Sequence, residues 1–167
     1  MIALTGHTAG FGTYLNQALQ QLGHTVVCFS RSNGYDLSTP KGRTQLLIDS
    51  HECEVFVNNS CAGDCQYLLL VEWLARNRVT NKKIINIGSY LSHVGLPNAE
   101  FHDQWNNKNQ LAAIHNNFLN TKTAHDKCVS EFVAWGYWQT HPIAIAHPET
   151  ITDMRIDEAV AEIVSLL

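Results

Sequence analysis

The feature that most constrains this chain is its opening stretch, MIALTGHTAGFG. Ile2, Ala3 and Leu4 form a short apolar run; Thr5, Gly6, Gly10 and Gly12 follow, and Phe11, Leu15, Ala18, Leu19 and Leu22 then recur at roughly helical spacing. The pattern reads as a buried strand, a glycine-rich turn and a helix. Gly6 permits the tight turn, Gly10 lets a backbone come close to a diphosphate, and Gly12 lets the helix pack tightly on the strand. Free N–H groups of the first helical turn would then point at the anion, aided by the helix dipole. Three glycines in a turn also occur by chance. Their place after an N-terminal strand and before an amphipathic helix favours a dinucleotide site over a plain structural turn.

Composition sets outer bounds. With 167 residues, 45% of them hydrophobic, one domain spanning 1–167 with a proper core is expected. A formal charge of -4 with only 11 basic residues implies no broad nucleic-acid surface. No apolar stretch approaches the roughly 20 residues that span a bilayer, and no positively charged leader precedes Ile2, so a cytoplasmic location is the default expectation. The five cysteines form no CxxC pair and read as reduced structural thiols. Among the nine histidines no two lie two, three or four residues apart, so no metal site is expected.

The remaining chain alternates strands and helices. Thr25–Phe29 reads as a second buried strand ending in Ser30-Arg31-Ser32. An acidic residue there would bond an adenosine ribose, whereas an arginine accommodates a 2′-phosphate, so Arg31 points to NADP over NAD. Tyr35–Ser38 reads as a very short third strand. Ser38 or Thr39 would cap a helix with Pro40 at its first position, running to about Ser50 and burying Leu46, Leu47 and Ile48. Glu54–Asn58 is the next strand, followed by a loop of small residues, an apolar-rich helix over 65–79, and a strand Ile84–Ile87 ending in Gly88-Ser89. Residues 92–103 read as a loop. From about Gln104 to Trp138 the pattern is mostly helical, with a bend near 116–120 and two stripes, the second built on Cys128, Phe132 and Trp135. Ile143–Ala146 reads as a strand stopped by His147-Pro148. A last helix, capped by Thr152 or Asp153, shows Ile156, Ala159, Val160, Ile163 and Leu167 on one face. The expected architecture is a three-layer Rossmann fold, a doubly wound parallel α/β sheet covered on both sides.

These motifs, in this order, resemble the short-chain dehydrogenase/reductase family. The family's TGxxxGxG is matched by Thr5, Gly6, Gly10 and Gly12. Its acidic-apolar pair beside the adenine is similar to Asp36-Leu37, and its NNAG segment is matched in part by Asn58-Asn59, with Ser60-Cys61 where Ala-Gly is usual. Its catalytic serine resembles Ser89 in INIGS, and its late proline loop resembles His147–Met154. The resemblance therefore assigns Thr5, Gly6, His7, Gly10, Phe11, Gly12, Arg31, Asp36, Leu37, Asn58, Asn59, Ser60, Lys122 and Pro148 to a cofactor, and Ser89 and Lys122 to catalysis. In the family a tyrosine four residues before a lysine exchanges the substrate proton, the lysine lowers its pKa and holds the nicotinamide ribose, and the serine orients the carbonyl.

The chain departs from that pattern. With Lys122 on the lysine, the tyrosine position is Phe118, which has no proton to give. None of the five tyrosines is followed four residues later by lysine. His115 and Tyr90 stand as substitute donors. The chain is shorter than typical members, Glu149 replaces the glycine usual after the proline, and the substrate-covering insertion after that loop is missing. Two readings follow. One is an NADP(H)-dependent oxidoreductase acting on a small carbonyl or alcohol with weakened acid–base chemistry. The other is a dinucleotide-binding sensor or scaffold without catalysis. A flavodoxin-like or sugar-nucleotide-modifying domain sharing only the sheet is a third. A homodimer or homotetramer is expected through helices in 104–138, with Trp105, Trp135 and Trp138 as interface anchors or core.

Overall fold

The computed structural model describes residues 1–60, 63–89, 102–135 and 154–167. Five parallel strands, β1 (Ile2–Thr5), β2 (Val26–Phe29), β3 (Val55–Asn58), β4 (Lys83–Ile87) and β5 (Val129–Val133), form one sheet in the order β2-β1-β3-β4-β5. The helices are α1 (Phe11–Gln21), α2 (Pro40–Asp49), α3 (Cys65–Asn77), α4 (His102–Thr121) and α5 (Ile156–Ser165). The expected doubly wound α/β architecture is what the chain adopts.

Alternation along each strand sorts the core into two faces. Ala3, Phe29, Phe56 and Ile84 face α2, α3 and α4, where Leu46, Leu70, Trp73, Leu111 and Phe118 cover them. Ile2, Leu4, Val57 and Ile85 face α1 and α5, against Leu15, Leu19, Ala159, Val160 and Ile163. Full burial of such side chains contributes about 1.5–3 kcal/mol each. Thr39 caps α2 by accepting from the Gly42 amide at 3.0 Å, with Pro40 at its start. Leu46 and Leu47 are buried by α2 as expected, whereas Ile48 is exposed.

Three expectations are corrected, and one open alternative is decided. Tyr35–Ser38 is not a strand: the Asp36 carboxylate folds back onto the Ser38 amide and hydroxyl, making a turn, and only Leu37 enters the core. The helical reading of 104–138 fails beyond Thr121, because residues 129–133 are the strand β5, paired with β4 from Lys83↔Val129 to Ile87↔Val133. Trp135 is core, its Nε1 donating to Glu162 at 2.7 Å. The last helix is capped at Arg155, not at Thr152 or Asp153. The expectations for Tyr90, Trp138, Ile143–Ala146 and His147-Pro148, Pro148 included, lie outside the described residues. Among the described residues no helix is long and apolar enough to cross a membrane.

Candidate active site at the carboxyl edge of the sheet

All five strands run the same way, so Thr5, Phe29, Asn58 and Ile87 end on one edge. Chain direction across the sheet reverses between β1 and β3, and it is there that open α/β sheets bind ligands. Thr5 stitches the crevice closed at its base: its Oγ1 donates to the Val57 carbonyl at 3.4 Å and accepts the Asn59 and Ser60 amides at 2.9 and 3.0 Å. Asn59 Nδ2 in turn donates to the Thr5 and Gly6 carbonyls at 3.2 and 3.1 Å.

The glycines are required by this closeness. Gly6 has φ of 68°, and a Cβ there would stand 2.8 Å from Asn59 Nδ2. A Cβ on Gly12 would overlap the Gly6 carbonyl oxygen. Its close approach is thus to the turn itself rather than to the strand. A Cβ on Gly10, by contrast, would meet nothing within 4 Å. The turn is therefore packed at its root and open at its rim, and α1 begins there with no acidic side chain in its first turn. That is a cradle for an anion, with amide N–H groups at a helix start. His7 belongs to it through its carbonyl, which accepts from Thr13 Oγ1 at 3.1 Å; its ring Nδ1 is buried with no hydrogen-bond partner. The half-buried Phe11 ring leans on Trp135, 5.1 Å between centroids.

Beside the cradle lies a cavity of about 390 Å³ lined by Gly6, Thr8, Ser30, Arg31, Ser32, Tyr35, Asp36, Leu37 and Ser60. Five of the residues assigned to a cofactor from sequence meet here: Gly6, Arg31, Asp36, Leu37 and Ser60. The Asp36–Leu37 turn is anchored from behind by the buried Arg43, which donates to the Leu37 carbonyl at 3.1 Å and to Glu72 at 2.9 Å. The Ser38 hydroxyl and amide, and then the Arg31 charge, hold the Asp36 carboxyl below the usual range. Ser30 and Ser32 hydroxyls lie 2.7 Å apart on the short 3-10 turn that carries Arg31. The crevice residues Gly6, Gly10 and Gly12 and this cavity fit a dinucleotide in shape and in donor chemistry.

On the far side of the crevice Ser89 is buried two residues beyond the end of β4. The lysine that reaches this edge is Lys108, not Lys122. Lys108 Nζ donates to the Ile87 carbonyl at 2.8 Å and to Gln66 Oε1 at 2.6 Å, and the side chain is 6% exposed. Lys122 follows the end of α4 and donates to the Cys128 carbonyl at 3.0 Å, immediately before β5. It stands at the amino edge of the sheet, and its assignment to catalysis and to cofactor is corrected accordingly. Phe118 is core at that same end, its ring flanked by the Arg78 and Lys122 cations, each 5.8 Å from the centroid. His115 is no proton donor at the edge either: it is buried, with Nδ1 2.9 Å from Ser130 Oγ.

Lys108 carries a signal that a sequence reader can use. It lies in phase with the buried Leu111, His115 and Phe118 along α4. A lysine on an apolar stripe needs buried partners. Gln104 stands four residues, about one helical turn, before Lys108.

No protein-family profile and no curated protein matches the sequence. Solved structures do share its fold. A short-chain dehydrogenase/reductase from Vibrio parahaemolyticus superposes with a TM-score of 0.73 at 14% identity, covering 99% of this chain and 91% of that one. A metagenomic short-chain oxidoreductase in complex with NADP gives 0.67 at 20%, covering 99% and 89%. The 3-alpha-hydroxysteroid dehydrogenase from Pseudomonas sp. B-0831, complexed with NADH, gives 0.67 at 18%, covering 96% and 87%. The fold of this chain is that of the short-chain dehydrogenase/reductases.

Proposed function

We propose that this chain is an NADP(H)-dependent oxidoreductase acting on a small carbonyl or alcohol. The observation that carries the reading is the carboxyl edge of the sheet, along which the Arg31–Asp36 cavity, the Gly6–Gly12 turn, and the end of β4 with Ser89 and Lys108 follow the strand order. Amide groups at the start of α1 hold a pyrophosphate. Arg31 bonds a 2′-phosphate through its guanidinium, with the Ser30 and Ser32 hydroxyls beside it. Lys108 holds ribose hydroxyls, and Ser89 donates to the substrate oxygen. When bound, the reduced nicotinamide supplies a hydride.

Gln104 bears on the strength of this chemistry. An amide donates a hydrogen bond but does not surrender a proton, and general acid–base help is worth roughly 10²–10⁴-fold. Slow turnover follows. The same residue favours a second reading, a dinucleotide-binding sensor that has no chemistry of its own. The homodimer or homotetramer is retained as a proposal through α4 alone, since β5 takes up the chain beyond it, and sedimentation tests it. Calorimetric titration with NADPH, NADH and flavin mononucleotide, followed by NADPH consumption against aldehydes and ketones, tests the main reading. Tighter binding of NADPH with measurable consumption supports it. Binding without consumption favours the sensor, and no binding of either nicotinamide cofactor rejects both.

A further inference from the structure

We infer that Gln66 is the positioning residue for Lys108. Gln66 sits in the first turn of α3 and is 3% exposed. Its Nε2 donates to the Asn58 carbonyl at 2.7 Å and to the Ile87 carbonyl at 2.6 Å, the last residues of two neighbouring strands. Its Oε1 accepts from Lys108 Nζ at 2.6 Å. One side chain thus ties the ends of β3 and β4 together and presents an acceptor to the ammonium. Only a primary amide of this length has two donors and an acceptor to do so.

The amide is itself held. Asn58 Nδ2 donates to the Gln66 backbone carbonyl at 2.8 Å and to Asn86 Oδ1 at 3.0 Å. Asn86 Nδ2 continues to Ser130 Oγ at 3.3 Å, and Ser130 meets His115. This polar row crosses β3, β4 and β5 and returns to α4, the helix that carries Lys108. Buried polar rows of this kind rigidify what they hold.

The chemistry of the holder matters as much as its geometry. A neutral oxygen orients the ammonium without setting a negative charge beside it. A carboxylate at the same place would add a full opposing charge. Gln66 therefore acts through Lys108 and does not touch the ligand.

The NADPH arm of the test rests on the proposed function; a labelling arm does not. In the first, Gln66→Met, Lys108→Met and the double variant are titrated with NADPH. Each single variant is expected to weaken binding about ten-fold, and the double variant no further than Lys108→Met alone. Equal loss from Gln66→Met in the presence and absence of Lys108 would overturn the inference, because a merely structural role adds. In the second, acetylation by acetic anhydride is followed by mass spectrometry, with the exposed Lys127 as internal reference. Gln66→Met is expected to raise the Lys108 rate relative to Lys127, and an unchanged ratio overturns the inference whether or not the protein binds NADPH. Should Gln66→Met not fold, Gln66→Glu replaces it: it keeps an oxygen toward Lys108, so labelling stays low while NADPH affinity falls. A Glu variant that labels fast, or binds NADPH as tightly as the parent, overturns the inference. Failure of the parent to bind NADPH rejects the proposed function and leaves the labelling result to decide the role of Gln66.

Discussion

Lys108 donates to the Ile87 carbonyl at 2.8 Å, two residues before Ser89, and this bond brings Lys108, not Lys122, to the carboxyl edge of the sheet. The rise of an α-helix separates Lys108 from Lys122 by about 20 Å, so the two cannot serve the same edge.

Exchange of the two lysines should therefore give opposite results. Lys108→Met is expected to weaken NADPH binding about ten-fold by removing a charged donor. Lys122→Met should leave the dissociation constant unchanged and cost about 0.5–1.5 kcal/mol of stability, the worth of its hydrogen bond to Cys128. Calorimetry and thermal melts of both variants check this.

The proposed preference for NADPH rests on Arg31. Arg31→Ala should raise the NADPH dissociation constant about 10- to 100-fold, the worth of charge-assisted hydrogen bonds to a phosphate, and leave NADH binding unaltered. Equal loss for both cofactors would place Arg31 elsewhere than at the 2′ position.

Gly12 tests the packing of the cradle. Gly12→Ala forces a methyl group into the Gly6 carbonyl, and neither backbone has room to yield. A destabilisation of about 1–3 kcal/mol is expected, with loss of dinucleotide binding in the protein that remains folded. Gly10→Ala meets open space but must hold φ of 56°, so it should cost stability without overlapping any atom.

Gln104→Tyr restores a titratable hydroxyl one turn before Lys108. NADPH consumption should rise at least about ten-fold if the crevice is otherwise competent, within the range that acid–base groups supply. No gain, with cofactor binding intact, would favour the sensor.

Acid should unfold the protein in two stages. Burial lowers the His115 pKa below 6.5, against a smaller opposing pull from Glu131. Below 6.5 the unfolded chain takes a proton that the native imidazole refuses, so stability falls as pH drops, by up to about 1.4 kcal/mol per pH unit, until the native ring is protonated. Asp126 is pushed down to about 2 by the Thr123 amide and the Arg78 guanidinium. Its contribution is complete above 3.8 and is lost as pH falls through about 2. His115→Gln should flatten the first stage and Asp126→Asn the second in melts recorded between pH 7 and 2.

Much of the site was readable from residues close together in the chain. The turn at Gly6–Gly12, its following helix, and the Arg31 and Asp36–Leu37 positions depend on local backbone conformation and on apolar periodicity, both of which sequence spacing reports. The strand β5 was hidden because Ser130 and Glu131 interrupt its apolar pattern, while Cys128, Phe132 and Trp135 recur as they would on a helix. The assignment of Lys122 and Phe118 has a different origin: it comes from matching the family's tyrosine–lysine spacing to that segment.

The amino-acid order by itself determined a parallel α/β sheet opening on an anion cradle, because glycines, caps and alternating apolar residues act over a few positions. Only the tertiary structure decided which lysine reaches the carboxyl end of β4. Lys108 tolerates burial because Gln66 and Ile87, from an element and a strand far away in the chain, supply its acceptors. The free energy of a buried charge depends on partners that only the folded chain brings within hydrogen-bond reach.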